Sequence, residues 1–202
     1  MKKDLVLRIV NATALLGFSL IVNYEAAIYA SRVASTAPTD IILSHTPVFN
    51  LSAAYIYAPI LFWLAVALFS AHKPERIPFI MKSLALGILV RSIFVSLTHI
   101  GPFPYRLETE PTLAADLFTR DADFFFSGHT AFPFLMALIF WEEKRLRIAF
   151  ILASVFFGIV VLLTHLHYTV DVLGAYFITP TIFMISKKIF ESDWRGFNIQ
   201  ST

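Results

Sequence analysis

Residues 147–186 read RIAFILASVFFGIVVLLTHLHYTVDVLGAYFITPTIFMIS. Two apolar runs, 147–164 and 168–186, are joined here by a short polar segment that holds two histidines, with an aspartate just inside the second run. About 20 apolar residues in a helix cross the hydrocarbon of a bilayer, and each run approaches that length. Ionisable groups kept at such a boundary are expensive and usually functional. Working outward, comparable runs occupy 5–30, 51–71, 78–100 and 130–141. The pattern predicts an all-α integral membrane protein of six transmembrane helices, forming one domain over residues 1–202. The run at 130–141 is short, and is expected to begin near Phe124-Phe125-Phe126 or to continue into Glu142-Glu143. Pro133 suits the first turn of that helix, where a missing N–H is harmless, which places Ser127–His129 in a loop or cap before it. Pro180 is expected to kink the sixth span.

Composition agrees with a membrane protein. Hydrophobic residues make up 57% of the 202 and charged residues only 15%, and the mean hydropathy of +0.72 lies far above the soluble range. No stripe of basic and aromatic residues points to nucleic acid. With no cysteine, disulfides, thiolate nucleophiles and cysteine-bound metals are excluded. The first run follows Met1-Lys2-Lys3 but exceeds the ~7–15 residues of a signal-peptide core. It is read as an uncleaved first span.

Basic residues alternate between the ends of the runs. Lys2, Lys3 and Arg8 sit at the N-terminus, Lys73, Arg76 and Lys82 surround the second connection, Lys144, Arg145 and Arg147 mark the fourth, and Lys187, Lys188 and Arg195 lie in the tail. The opposite ends carry only Arg32, Arg106 and Arg120. The positive-inside rule then makes both termini cytoplasmic. Ser127-Gly128-His129-Thr130 and His165-Leu166-His167-Tyr168-Thr169-Val170-Asp171 fall together on the exoplasmic side.

These segments carry a candidate constellation. His167 and Asp171 stand four apart, so on a helix they share a face. The carboxylate can bind one imidazole nitrogen and fix the tautomer, leaving the other as nucleophile or base. His129 can protonate a departing alkoxide. Ser127 and Gly128 offer an unobstructed backbone approach at a helix start, where N–H groups favour a phosphate. Arg91, near the middle of the third span, requires a partner: a substrate phosphate, gripped bidentately, or Glu25 in the first span. Asp123 either assists a proton transfer or solvates its loop, and His165 either orients substrate or packs. An interfacial helix over residues 112–126 would roof the site.

At these residues the chain resembles the sphingomyelin synthase-related branch of the type 2 phosphatidic acid phosphatase (PAP2) superfamily. The segment His165 to Val172, followed by Ala175-Tyr176 and Thr179, is similar to that branch's His-Tyr-Thr-x-Asp motif. Asp123 with Ser127-Gly128-His129-Thr130 is similar to its Asp-x-x-x-Ser-Gly-His-Thr motif. Arg91 and Thr98 with Pro102 and Pro104, and more faintly Pro38-Thr39-Asp40-Ile41, resemble two others. The resemblance implies a PAP2-like helical bundle with a triad of His129, His167 and Asp171 facing the exoplasmic leaflet. Substrate-binding roles would fall to Arg91, Ser127, Gly128, Asp123, His165 and Tyr168. His167 would form a phosphohistidine intermediate, and His129 would protonate the leaving alcohol and then activate the acceptor. No metal or other cofactor is implied. The implied partners are a membrane phospholipid donor and, as acceptor, a lipid alcohol (ceramide or diacylglycerol) or water. An oligomer is compatible with the sequence. Wider-superfamily phosphatases carry a Lys…Arg-Pro segment and an arginine six residues before the nucleophile. Here Val161 stands at the latter place and the former does not appear. Arg91 is then the leading cation, and fewer cations favour a phosphodiester over a dianionic monoester.

Three function classes follow: a lipid phosphotransferase or phosphatase, a zinc-dependent membrane hydrolase using His129, His165, His167 and Asp171 as ligands, and a catalytically silent lipid-binding protein.

Overall fold

The computed structural model describes residues 2–107 and 124–198. Seven α-helices are found among them: α1 (Lys2–Val33), α2 (Ser52–Ala71), α3 (Ile77–Leu97), α4 (Gly128–Ile139), α5 (Lys144–Leu163), α6 (Thr169–Ile189) and α7 (Glu191–Asn198). The described residues contain no strand. Short 3-10 turns at Leu43–His45 and Pro74–Arg76 complete the regular structure. In lipid every backbone polar group must be satisfied within the segment, and helices do this. Five helical segments are long and apolar enough to cross a membrane: Lys3–Val33, Ser52–Ala71, Pro74–Leu97, Lys144–Leu163 and Thr169–Ile189. The chain is an integral membrane protein.

The expected fourth span is α4, and it is short. Its 12 residues rise only about 18 Å, less than the hydrocarbon thickness. It starts at Gly128, after the expected Phe124-Phe125-Phe126 region, and ends at Ile139, short of Glu142-Glu143. Ser127 is the N-cap, and Gly128 and His129 lie in the first turn rather than in a preceding loop. Pro133 therefore falls inside the helix, not in its first turn. Lacking an N–H, it cannot donate to the carbonyl four residues back, which belongs to His129. The expected roof over 112–126 lies largely outside the described residues.

α1 runs along α3, α4 is held between α5 and α6, α3 touches α4 and α6, and α2 leans on α5. Small residues permit the closest approach. Ser154 of α5 donates to the Thr130 carbonyl of α4 at 2.8 Å, and a Cβ on Gly158 would stand 3.2 Å from Val172. The outer faces of α1 and α2 expose Val6, Leu7, Val10, Phe18, Ile21, Tyr57, Leu61, Leu64 and Leu68, as lipid-facing surfaces do.

One end of the bundle gathers the basic flanks. Asp193 of α7, almost fully buried, receives Arg8 at 2.6 Å and Lys82 at 2.7 Å. Arg76 meets Glu143 at 2.6 Å and lies over the rings of Phe197 and Phe140 at 4.8 and 5.5 Å. A core of Phe79, Met136, Phe140, Phe150 and Phe197 fills the space beneath. Both histidine segments lie at the opposite end.

Candidate active site

The turn between α5 and α6 sets the first part of the site. His165 adopts φ 55°, a left-handed conformation uncommon outside glycine, within the short turn from Leu163 to Thr169. Tyr168 is then the N-cap of α6. Asp171, in the first turn of α6 and fully buried, accepts the Tyr168 N–H at 2.8 Å through Oδ2. The same oxygen lies 3.3 Å from His167 Nδ1, a long hydrogen bond of the kind that tightens in a reacting complex. His167 thus precedes the helix. The pair meets across the helix N-terminus rather than along one helical face, because the first-turn carboxylate folds back over the cap. With Nδ1 donating to the carboxylate, Nε2 is the basic nitrogen.

α4 supplies the second part. Ser127 N–H donates to the Asp171 carbonyl at 3.1 Å, joining the two motif segments directly. His129 stacks on Tyr55 of α2, with ring centroids 4.5 Å apart and planes 21° from parallel, and meets Phe157 edge-on. Gly128 is closely packed: a Cβ there would come within 3.1 Å of the Phe132 ring, tight enough to displace it, and 3.5 Å of Arg91 Nε.

Arg91 of α3, buried, donates from Nε to the Phe126 carbonyl at 2.7 Å and from Nη1 to Asn23 Oδ1 at 3.3 Å. Glu25, the acidic partner considered from sequence, is exposed. The neutral Asn23, one helical face away on α1, takes the place given to it.

A cavity of about 430 Å³ unites these groups. Its polar end carries His129, His167, Gly128, Arg91 and Arg106, and its remainder is lined by Leu16, Leu20, Phe62, Trp63, Leu84 and other apolar side chains. From Arg91 to Leu84 along α3 is seven residues, about 10 Å of helix, so the apolar part descends toward the interior of the bilayer.

Not every expected residue faces this space. Ser127 is buried and receives the Thr130 hydroxyl at 3.3 Å. Tyr168, also buried, donates its hydroxyl to the Gly101 carbonyl at 2.8 Å. His165 Nδ1 lies 2.7 Å from the Tyr105 carbonyl and its ring stands edge-on to Phe103. These three hold the walls rather than line the cavity. Asp123 lies outside the described residues. Among those described, no three His, Asp or Glu side chains are grouped to hold a metal ion, so the zinc-ligand set does not assemble there.

Residues 122–188 match the family model described as PAP2 superfamily C-terminal. That segment contains α4, α5 and α6 almost to its end, and with them both histidines and Asp171. No curated protein and no solved structure matches the chain. The PAP2-type segment supports lipid phosphate chemistry of the phosphatase or phosphotransferase kind, and phospholipids as the general substrate class.

Four contributors come from outside the PAP2-matched segment and were not assigned to the site from sequence: Tyr55, Asn23, Arg106 and Asp40. Asp40 sits in the loop after α1. Its Oδ2 accepts the Thr169 N–H at 2.7 Å and its Oδ1 the Thr169 hydroxyl at 2.9 Å and the Ile42 N–H at 2.9 Å. It caps α6 from a distant part of the chain. Burial pushes its carboxyl up, but the hydrogen bonds from Thr169, Leu43 and Ile42 outweigh this and hold it below the ordinary 3.8. The faint Pro38-Thr39-Asp40-Ile41 match was the only signal for it. Asn23, one of two asparagines in the first apolar run, and Tyr55 carry no motif signal in the sequence.

Proposed function

We propose that this protein is a membrane lipid phosphotransferase that moves a phosphoryl or phospho-headgroup group through a covalent intermediate on His167, in the manner of sphingomyelin synthases. The observation that carries the reading is the single cavity in which two histidines and Arg91 share the polar end while apolar side chains line the rest. A phospholipid matches that division: its phosphate belongs among the cations and imidazoles, and its acyl chains below them.

In the first step His167 Nε2 attacks phosphorus, and the P–O bond to the leaving alcohol breaks as protonated His129 gives that oxygen its proton. Asp171 holds the imidazole by Nδ1 and stabilises the positive charge that builds on it. In the second step His129, now neutral, takes the proton of the acceptor hydroxyl. The acceptor oxygen bonds to phosphorus, the N–P bond breaks, and both histidines return to their starting states. Arg91 faces the charge developing on the non-bridging oxygens, the kind of preorganised electrostatics that carries most phosphoryl-transfer catalysis. The acceptor proposed is a lipid alcohol, ceramide or diacylglycerol. The basic flanks favour cytoplasmic termini and an exoplasmic site.

The test is turnover by purified protein in vesicles of labelled phospholipids, with and without ceramide or diacylglycerol, followed by mass spectrometry. A headgroup appearing on the added alcohol establishes the transferase. Free phosphate or phospho-headgroup makes water the acceptor. No product from any donor would overturn the enzymatic reading and leave a lipid-binding protein.

A further inference from the structure

The polar end of the cavity holds a cation that the sequence reading did not place there. Arg106 follows α3 by nine residues, in an irregular segment, yet it lines the same space as Arg91, His129 and His167. Its placement is fixed by its neighbours. On one side the Tyr105 carbonyl accepts from His165 Nδ1 at 2.7 Å. On the other the Leu107 N–H donates to the Thr164 carbonyl at 2.9 Å. Further back, the Gly101 carbonyl receives the Tyr168 hydroxyl at 2.8 Å, and any side chain on Gly101 would collide with the Ser35 carbonyl. The segment is therefore sewn to the turn that carries His167. The stitches use the backbone of residues 101, 105 and 107.

We infer that Arg106 is a substrate-phosphate ligand, completing with Arg91 a two-arginine anion site around the phosphorus attacked by His167. Arg91 approaches from the buried wall, where its guanidinium is already braced by Phe126 and Asn23. Arg106, half-buried, approaches from the mouth. A planar guanidinium offers paired donors to phosphate oxygens, and a rigidly tied segment loses little freedom on binding. The role also explains why His165 and Tyr168 turn their polar atoms away from the cavity: they hold the segment that delivers Arg106. Arg91 is then no longer the leading cation but one of two. Two cations can hold a doubly charged phosphate.

This assignment rests on the phosphoryl-transfer reading, and the experiment separates the two. Full-length wild type, Arg106→Gln and Arg106→Lys are compared in vesicles for KM and kcat on phosphatidic acid and phosphatidylcholine, and for inhibition by inorganic phosphate. For Arg106→Gln, we expect a rise of about 10- to 100-fold in KM for phosphatidic acid and in the inhibition constant for phosphate. The change in kcat should be only a few-fold, and the loss with zwitterionic phosphatidylcholine smaller. Arg106→Lys keeps the charge and loses the fork, so it should fall between, and it decides the matter if the glutamine variant does not fold. Unchanged KM and phosphate inhibition in the variants, or an equal fall in kcat on both lipids at constant KM, would overturn the assignment. If wild type turns over no lipid, the functional reading fails instead. Protection by inorganic phosphate against thermal unfolding, weaker in Arg106→Gln than in wild type, then still supports the anion site, and equal protection refutes it.

Discussion

The two ends of the helical bundle are built on opposite plans. At the basic end, charged side chains pair with one another and with aromatic faces: Arg8 and Lys82 on Asp193, Arg76 on Glu143 and over Phe140 and Phe197. At the histidine end, the bonds that fix the structure run mostly to backbone: Asp40 to Thr169, Asp171 to Tyr168, Tyr168 to Gly101, His165 to Tyr105. The first plan consumes its charges to lock helices together. The second ties loops by their main chain and places Arg91, Arg106, His129 and His167 around a cavity. Both ends bury titratable groups, so burial alone does not mark the site.

Substitutions can tell the plans apart. The largest effect is expected at His167. His167→Ala should abolish turnover, by at least about 10³-fold, with unchanged helicity and thermal unfolding in detergent. Asp171→Asn should fall nearly as far, through loss of imidazole orientation. Activity within a few-fold of wild type in either variant would remove that residue from the mechanism.

The reverse pattern is expected at the basic end. Arg76→Ala removes a buried guanidinium that bridges Glu143 and two aromatic rings, and should cost about 2–4 kcal/mol of stability. Turnover per folded molecule should stay near wild type. A large fall in kcat with normal stability would erase the distinction between the ends.

Asp40 lies between these cases. Asp40→Asn should cost about 1–2 kcal/mol and reduce activity several-fold by loosening the start of α6. Its pH dependence has a defined sign. The folded carboxyl is held below its ordinary 3.8, so its stabilisation is complete above that pH and is lost as pH falls through the lower folded value. Wild type should therefore lose thermal stability below about pH 4 more steeply than Asp40→Asn. Parallel profiles would show that the Asp40 charge does not hold the loop.

Much of this protein was legible along the chain. Hydropathy over windows of about 20 residues identifies membrane helices because the bilayer imposes length and apolarity locally, and five of the six expected runs have that length in the structure. His129, His167 and Asp171 were legible as candidates because motif segments at the mouths of apolar runs are local features. Helix starts were less so. Pro133 looked like a first-turn residue, yet α4 begins five residues earlier, because the Ser127 backbone pairs with Asp171 and sets the start through a tertiary bond.

The sequence by itself determined the apolar spans, the polar segments that interrupt them, and the residue types available for phosphoryl chemistry. All of these follow from composition over short windows. The tertiary structure alone decided which distant groups complete the site: Tyr55 stacked on His129, Asn23 rather than Glu25 on Arg91, Asp40 capping α6, and Arg106 carried to the cavity. Each depends on a contact between residues dozens of positions apart. Such contacts are set by helix packing and main-chain ties, and these leave no periodic trace in the sequence.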